Sequence, residues 1–321
     1  MRFVLLLAFF VMIPSFVHAQ TLLNQRMTVQ VSDGRLYGSL LLPKTDAPLP
    51  VALLIAGSGP TDRNGNNPLG HNDSLKRLAQ ALAKRGIASL RYDKRGVGQS
   101  QAVAPDESQL TVDDYVDDAV AWSRLLQADP RFSAVVLIGH SEGALIASLA
   151  EPAVKPAALI SVAGSGRPIG TLLQAQLQGR LPPSLLATAS YLINELNAGR
   201  THQQVPDSLQ VLFRSSVQPY LISLFQQDPA DAFANTRAPA LIVQGTHDIQ
   251  VSREDAQALK RARADAELAM INGMGHVLRI TPQERKRQTS TYNQPELPIA
   301  NELPERITQL LQMHSILPPS S

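Results

Sequence analysis

The 321-residue chain is 44% hydrophobic and 17% charged, a balance that supports a sizeable core and excludes wholesale disorder. Its net charge of +2 is close to zero, and the short basic run Arg285-Lys286-Arg287 reads as a solvated face, so nucleic acid is not an expected partner. With no cysteine, disulfides, thiol catalysis and thiolate metal sites are excluded, and stability must come from the core and its hydrogen bonds.

Residues 1–19 have the pattern of a secretory leader. Arg2 supplies the positive start, 3–13 is an uninterrupted apolar run, and Val17-His18-Ala19 places small residues before Gln20. The run is shorter than the roughly 20 residues a membrane helix needs, and Pro14 interrupts it. The expectation is therefore an exported protein, periplasmic or secreted, whose mature chain begins at Gln20 and has no membrane span. Residues 27–31 and 36–42 flank Ser32-Asp33-Gly34-Arg35, a hairpin signal. Residues 51–56 form a wholly apolar run between Pro50 and Gly57, as expected of a strand buried on both faces. Leu75, Leu78, Ala79 and Leu82 then recur at helical spacing, with Asn72 or Asp73 able to cap the start.

The strand and helix unit repeats. Residues 87–92 predict a strand, 111–126 a helix capped by Thr111, 134–138 a second apolar strand, 144–150 a short helix and 157–163 a further strand. From about 167 to 237 the rhythm breaks into leucine-rich helical stretches, 172–177 and 185–196 among them, which reads as a helical insertion. Alternation resumes with a strand at 240–244, a helix at 252–263, a strand at 267–271 and a last amphipathic helix at 299–313. Such alternation predicts one α/β domain over 20–321, with a mostly parallel sheet covered on both faces and ligands at the carboxyl ends of its strands.

Gly139-His140-Ser141-Glu142-Gly143 falls between the apolar strand ending at Ile138 and a helix. A G-x-S-x-G sequence there puts the serine on a strained strand-to-helix turn with its hydroxyl raised clear of the sheet. A serine hydroxyl needs a base and a carboxylate to act as a nucleophile. Asp248 follows the strand at 240–243 and His276 lies in a glycine-flanked loop after the strand ending at Ile271. Ser141, Asp248 and His276 are thus candidates for nucleophile, acid and base. An oxyanion needs preorganised amides; Glu142 N–H supplies one, and Ser58 N–H in Gly57-Ser58-Gly59-Pro60 is favoured for the other, with Gly57 as the alternative. His140 and His247 are expected to point away as packing or supporting groups. His71, His202 and His314 show no ligand spacing, so no metal is expected. Asp62, Asp73 and Asp255 read as turn or cap residues. Residues 93–98 miss the phosphate-loop spacings and read as a structural loop beside the site.

On these stretches, together with 55–63 and 91–100, the sequence resembles the α/β-hydrolase superfamily, and within it exported bacterial esterases related to serine aminopeptidase-like hydrolases. The resemblance covers about residues 27–280. It implies an eight-stranded sheet, a cap between the sixth and seventh core strands where the helical insertion falls, and the same triad. Ala56 before Gly57 departs from the commoner His-Gly opening and leaves the second oxyanion donor open. The expected activity is hydrolysis of a small-molecule carboxylic ester through an acyl-enzyme, needing no cofactor, in an apolar pocket lined from the cap by Phe213, Tyr220 and Phe225. An aminopeptidase or amidase on the same triad is the alternative; it needs a carboxylate for the substrate amine, for which Glu142, Glu195 or Asp207 are available. A non-catalytic binding protein on this fold is disfavoured by the complete set of catalytic motifs, and a dehalogenase by the serine at position 141.

Overall fold

The computed structural model describes residues 21–104 and 106–319; the leader pattern lies outside them. Eight strands form one sheet in the order β1-β2-β4-β3-β5-β6-β7-β8. β1 (Leu22–Val31) and β2 (Gly34–Pro43) make an antiparallel hairpin, and β2 also runs antiparallel to β4 (Ala88–Tyr92). From β4 onward through β3 (Leu49–Ile55), β5 (Phe132–His140), β6 (Ala158–Val162), β7 (Ala240–Gly245) and β8 (Glu267–Ile271), every pairing is parallel. β3, β4, β6 and β7 are buried at every residue, and β3 accordingly reads as a continuous apolar run rather than an alternating one.

Helices cover both faces. α1 (Ser74–Ala83) and α11 (Glu302–Met313) pack Leu78, Leu82, Leu303 and Ile307 against one side. α2 (Val112–Gln127), α3 (Glu142–Val154) and α9 (Arg253–Ala262) cover the other, with Trp122 fully buried 5.8 Å from the Tyr92 ring. α2 starts as its sequence predicts: Thr111 and Asp114 form a capping box, with the Asp114 carboxylate accepting from Thr111 N–H at 2.8 Å. At α1 the cap comes from Asn72, whose Oδ1 accepts from Ser74 N–H at 3.0 Å. Asp73 itself is left-handed at φ 54 and spends its carboxylate on Asn66 and Lys76. α3 runs past its predicted end, to Val154, although Pro152 in its last turn has no N–H to offer the Ser148 carbonyl.

Between β6 and β7 run five helices and no strand: α4 (Ile169–Leu177), α5 (Pro183–Asn197), α6 (Gln210–Phe213), α7 (Gln218–Phe225) and α8 (Pro229–Ala234). A sixth short helix beyond β8, α10 (Arg285–Ser290), has no apolar periodicity and is not foreseen from the sequence. No helix of the described residues is long and apolar enough to cross a membrane.

The helical segment is pinned at its entry by Asp255 of α9. This fully buried carboxylate accepts from Arg167 Nε and Nη2 at 2.8 and 2.7 Å, from Gly166 N–H at 3.2 Å and from Ser252 N–H at 3.0 Å. One residue thus caps α9 and ties it to the chain leaving β6. Asp255→Ala should lower unfolding free energy by about 2–4 kcal/mol, the sum of a lost cap and lost charge-assisted bonds, measured by urea denaturation.

Candidate active site

Ser141 sits between β5 and α3 with φ 56 and ψ −122, a backbone conformation uncommon for any residue with a side chain. The turn can close this tightly because Gly139 and Gly143 carry no Cβ. One on Gly143 would lie 2.3 Å from Ile55 O, and one on Gly139 2.1 Å from Gly143 O. Gly57, at the end of β3, is packed so that a Cβ there would stand 3.1 Å from Ser141 Cβ. The glycine loop and the serine are therefore immediate neighbours.

Asp248 leaves the carboxyl end of β7 and His276 the loop after β8, and the structure brings them together: His276 Nδ1 lies 2.9 Å from Asp248 Oδ2, and both side chains are buried. A carboxylate can only accept, so Nδ1 carries the proton and Nε2 is left as the basic nitrogen. Asp248 Oδ1 accepts from Gln250 and Val251 N–H at 2.8 and 3.0 Å. Burial pushes the Asp248 carboxyl up, but His276 and these two amides outweigh it and hold the group below the ordinary carboxylate value. Among the described residues no hydrogen bond joins Ser141 Oγ to His276.

The His276 loop is held from outside. Buried Arg279 donates to Leu297 O and Thr291 O at 3.1 Å each, and to Asn72 O. From inside, His140 turns its ring onto that of His276, centroids 4.9 Å apart, with Nε2 2.9 Å from His276 O. This corrects the expectation that His140 points away: the elbow rotates Ser141 upward and leaves the preceding side chain facing the His276 loop. His247 does support the loop, Nδ1 lying 2.6 Å from Thr281 O.

The amides of Ser58 and Glu142 have no acceptor within the described protein. Glu142 N–H is the first of α3, where orphan donors and the helix dipole favour negative charge. The Glu142 carboxylate is buried 3.9 Å from Lys94 Nζ, a partner that sequence reasoning missed because 93–98 is read there as a structural loop. Phe213, Tyr220 and Phe225, expected to line a pocket, are buried within the hydrophobic core. Tyr220 stands edge-on to Tyr115 of α2, ring centroids 5.5 Å apart. A groove of about 450 Å³ lined by Arg26, Ser39, Arg63, Asp93 and Gln99 holds none of Ser141, Asp248 and His276.

The family of serine aminopeptidase, S33, matches residues 69–282. The chain belongs to this family of α/β hydrolases. Esterase EstD of Thermotoga maritima is 26% identical over 270 residues, which are 83% of this chain and 62% of that protein; the chain spans less than two thirds of the length of that relative. Among solved structures, Est1E of Butyrivibrio proteoclasticus with ferulic acid bound superposes with a TM-score of 0.60 at 17% identity, over 90% of this chain and 99% of that one. XC6422 of Xanthomonas campestris, an α/β serine hydrolase without a lid, superposes at 0.53 and 18% identity, over 93% and 97%. These two likenesses establish the shared fold of the hydrolase.

Burial first, and then the neighbouring His276, lower the His140 imidazole to about 4 from an ordinary 6.5. Between those values the unfolded chain binds a proton that the folded chain refuses, so stability falls as pH drops from 6.5 toward 4. His140→Gln keeps a donor for His276 O and should remove up to about 3 kcal/mol of that acid loss, read from urea midpoints at pH 7 and 4.5.

Proposed function

We propose that this protein is a carboxylesterase-type serine hydrolase acting through Ser141, His276 and Asp248. The observation that carries the reading is the Asp248–His276 pair at 2.9 Å, beside a serine in a left-handed turn flanked by two unpaired amides. In this scheme His276 Nε2 takes the Ser141 proton as Oγ attacks the ester carbonyl. Asp248 stabilises the imidazolium, and Ser58 and Glu142 N–H hold the oxyanion. His276 then returns the proton to the leaving alkoxide. Water, activated by the same base, cleaves the acyl-enzyme. All of this chemistry is carried by protein groups and water. In this reading the helices between β6 and β7 act as a cap over the substrate, and the leader pattern of residues 1–19 supports an action outside the cytoplasm.

An aminopeptidase would need a free carboxylate for the substrate's ammonium. Glu142 is buried against Lys94, Glu195 is engaged by Arg200 and His202 at 2.6 and 3.1 Å, and Asp207 is exposed on a short turn ahead of α6. With these three committed or remote, a neutral ester fits the site better, in keeping with the esterase name of the relative in Thermotoga maritima.

Hydrolysis of p-nitrophenyl acetate, butyrate and octanoate tests the scheme. Ser141→Ala should abolish turnover with an unchanged circular dichroism spectrum. Asp248→Asn, which leaves the wrong ring nitrogen protonated, should lower kcat by about 10³–10⁴. Faster cleavage of leucine p-nitroanilide than of any ester would replace the ester reading by the aminopeptidase one.

A further inference from the structure

Behind the glycine loop lies a buried cation that the acyl-transfer scheme leaves unused. Lys94, 4% exposed, donates from Nζ to Gly57 O at 2.7 Å, stands 3.9 Å from Glu142 Oε1 and lies 5.0 Å from the centroid of the Tyr115 ring. Burying an ammonium is unfavourable unless it is paired and hydrogen-bonded, so its position calls for a reason. Burial lowers the lysine below its ordinary value while the Glu142 carboxylate opposes that shift.

Gly57 O and Ser58 N–H belong to one peptide plane. That peptide is trans, and in a trans peptide the carbonyl and the N–H point in opposite directions. Whatever fixes Gly57 O therefore fixes the direction of Ser58 N–H, the amide that has no acceptor within the described protein. The next carbonyl is held independently, Ser58 O accepting from Thr61 Oγ1 at 2.8 Å. A cation on the carbonyl also polarises the peptide and makes its N–H a stronger donor.

We propose that Lys94 is a positioning residue of the oxyanion hole: its ammonium, seated between Gly57 O and the Glu142 carboxylate, aims Ser58 N–H at the substrate oxygen and registers it against Glu142 N–H. One buried charge thus couples the two loops that carry the two donors, one after β3 and one after β5. The inference rests on the serine-hydrolase reading above. It assigns to Lys94 a part in stabilising the transition state without contact with substrate.

Lys94→Met alone strands a buried carboxylate and risks the fold. The effect of the lysine is therefore read between Glu142→Gln and the double variant K94M/E142Q, with p-nitrophenyl butyrate as substrate and phenylboronic acid as a ligand forming a tetrahedral adduct at Ser141. From E142Q to the double variant, kcat should fall about 10- to 100-fold, a part of the roughly 10²–10³ that loss of a whole oxyanion donor costs. KM should change by less than about threefold, and inhibition by phenylboronic acid should weaken by the factor seen in kcat. Equal kcat in the two variants would overturn the proposal, as would a loss carried by KM with unchanged boronate inhibition, or loss of the folded spectrum in the double variant; each assigns Lys94 to packing. Wild-type turnover that survives Ser141→Ala instead removes the serine-hydrolase reading, and this inference with it.

Discussion

Where β3 ends and α3 begins, main chain rests directly on main chain. Gly143 lies against the Ile55 carbonyl and Gly139 against Gly143, at separations no Cβ could share. That contact sharpens the turn after β5 until Ser141 must take up a left-handed conformation, and it also draws the Gly57 loop onto the serine. The strain is sustained because the strands beneath are rigid. Leu53, Val136 and Ile160, from three adjacent parallel strands, are fully excluded from solvent, and Ser141 N–H is bonded to Val162 O at 2.9 Å. Placement of the serine, the glycine loop and the first amides of α3 all descend from two missing side chains.

The second organising element is a set of buried ion pairs laid across segment boundaries. Arg95 reaches Asp118 of α2 at 2.8 Å and Arg167 reaches Asp255 of α9, while Lys94 stands by Glu142 of α3. Pairs of this kind add little net stability but are intolerant of losing one partner, so they act as registers between loops and helices. Asp118 shows the balance: burial raises its carboxyl to about 6 in spite of Arg95. Since that value lies above the unfolded one, its contribution favours the folded state in acid and fades as pH rises through 6, opposite in sign to that of His140.

Much of this was legible in the sequence, for identifiable reasons. β3 and the middle of β5 announced themselves as apolar runs, and Ser141, Asp248 and His276 stood out as candidates because each lies just after a strand. Other features were not legible. The Asn72 cap at α1 depends on Asp73 adopting a positive φ, which a list of favoured cap residues does not reveal. The contacts of His140 and Lys94 run 136 and 37 residues along the chain, so no local pattern encodes them. The aromatic residues of α6 and α7 were legible as apolar, and the structure buries all three. A composition that suits a pocket wall suits an interior equally well, and only packing distinguishes the two.

Arg279 gathers three carbonyl groups from two stretches, at residue 72 and at residues 291 and 297, while sitting three positions beyond His276. It works as a keystone: the arch that carries the histidine stands only while those abutments are in place. The segment from Thr291 to Leu297 leads into α11, which is anchored to the sheet by Leu303 and Ile307. Detachment of that last helix, a local opening far smaller than global unfolding, would loosen the arch and misplace the imidazole while the sheet stayed intact. On the proposed function, heat inactivation would then precede loss of secondary structure, with the segment from Thr291 onward setting the first and the parallel sheet the second.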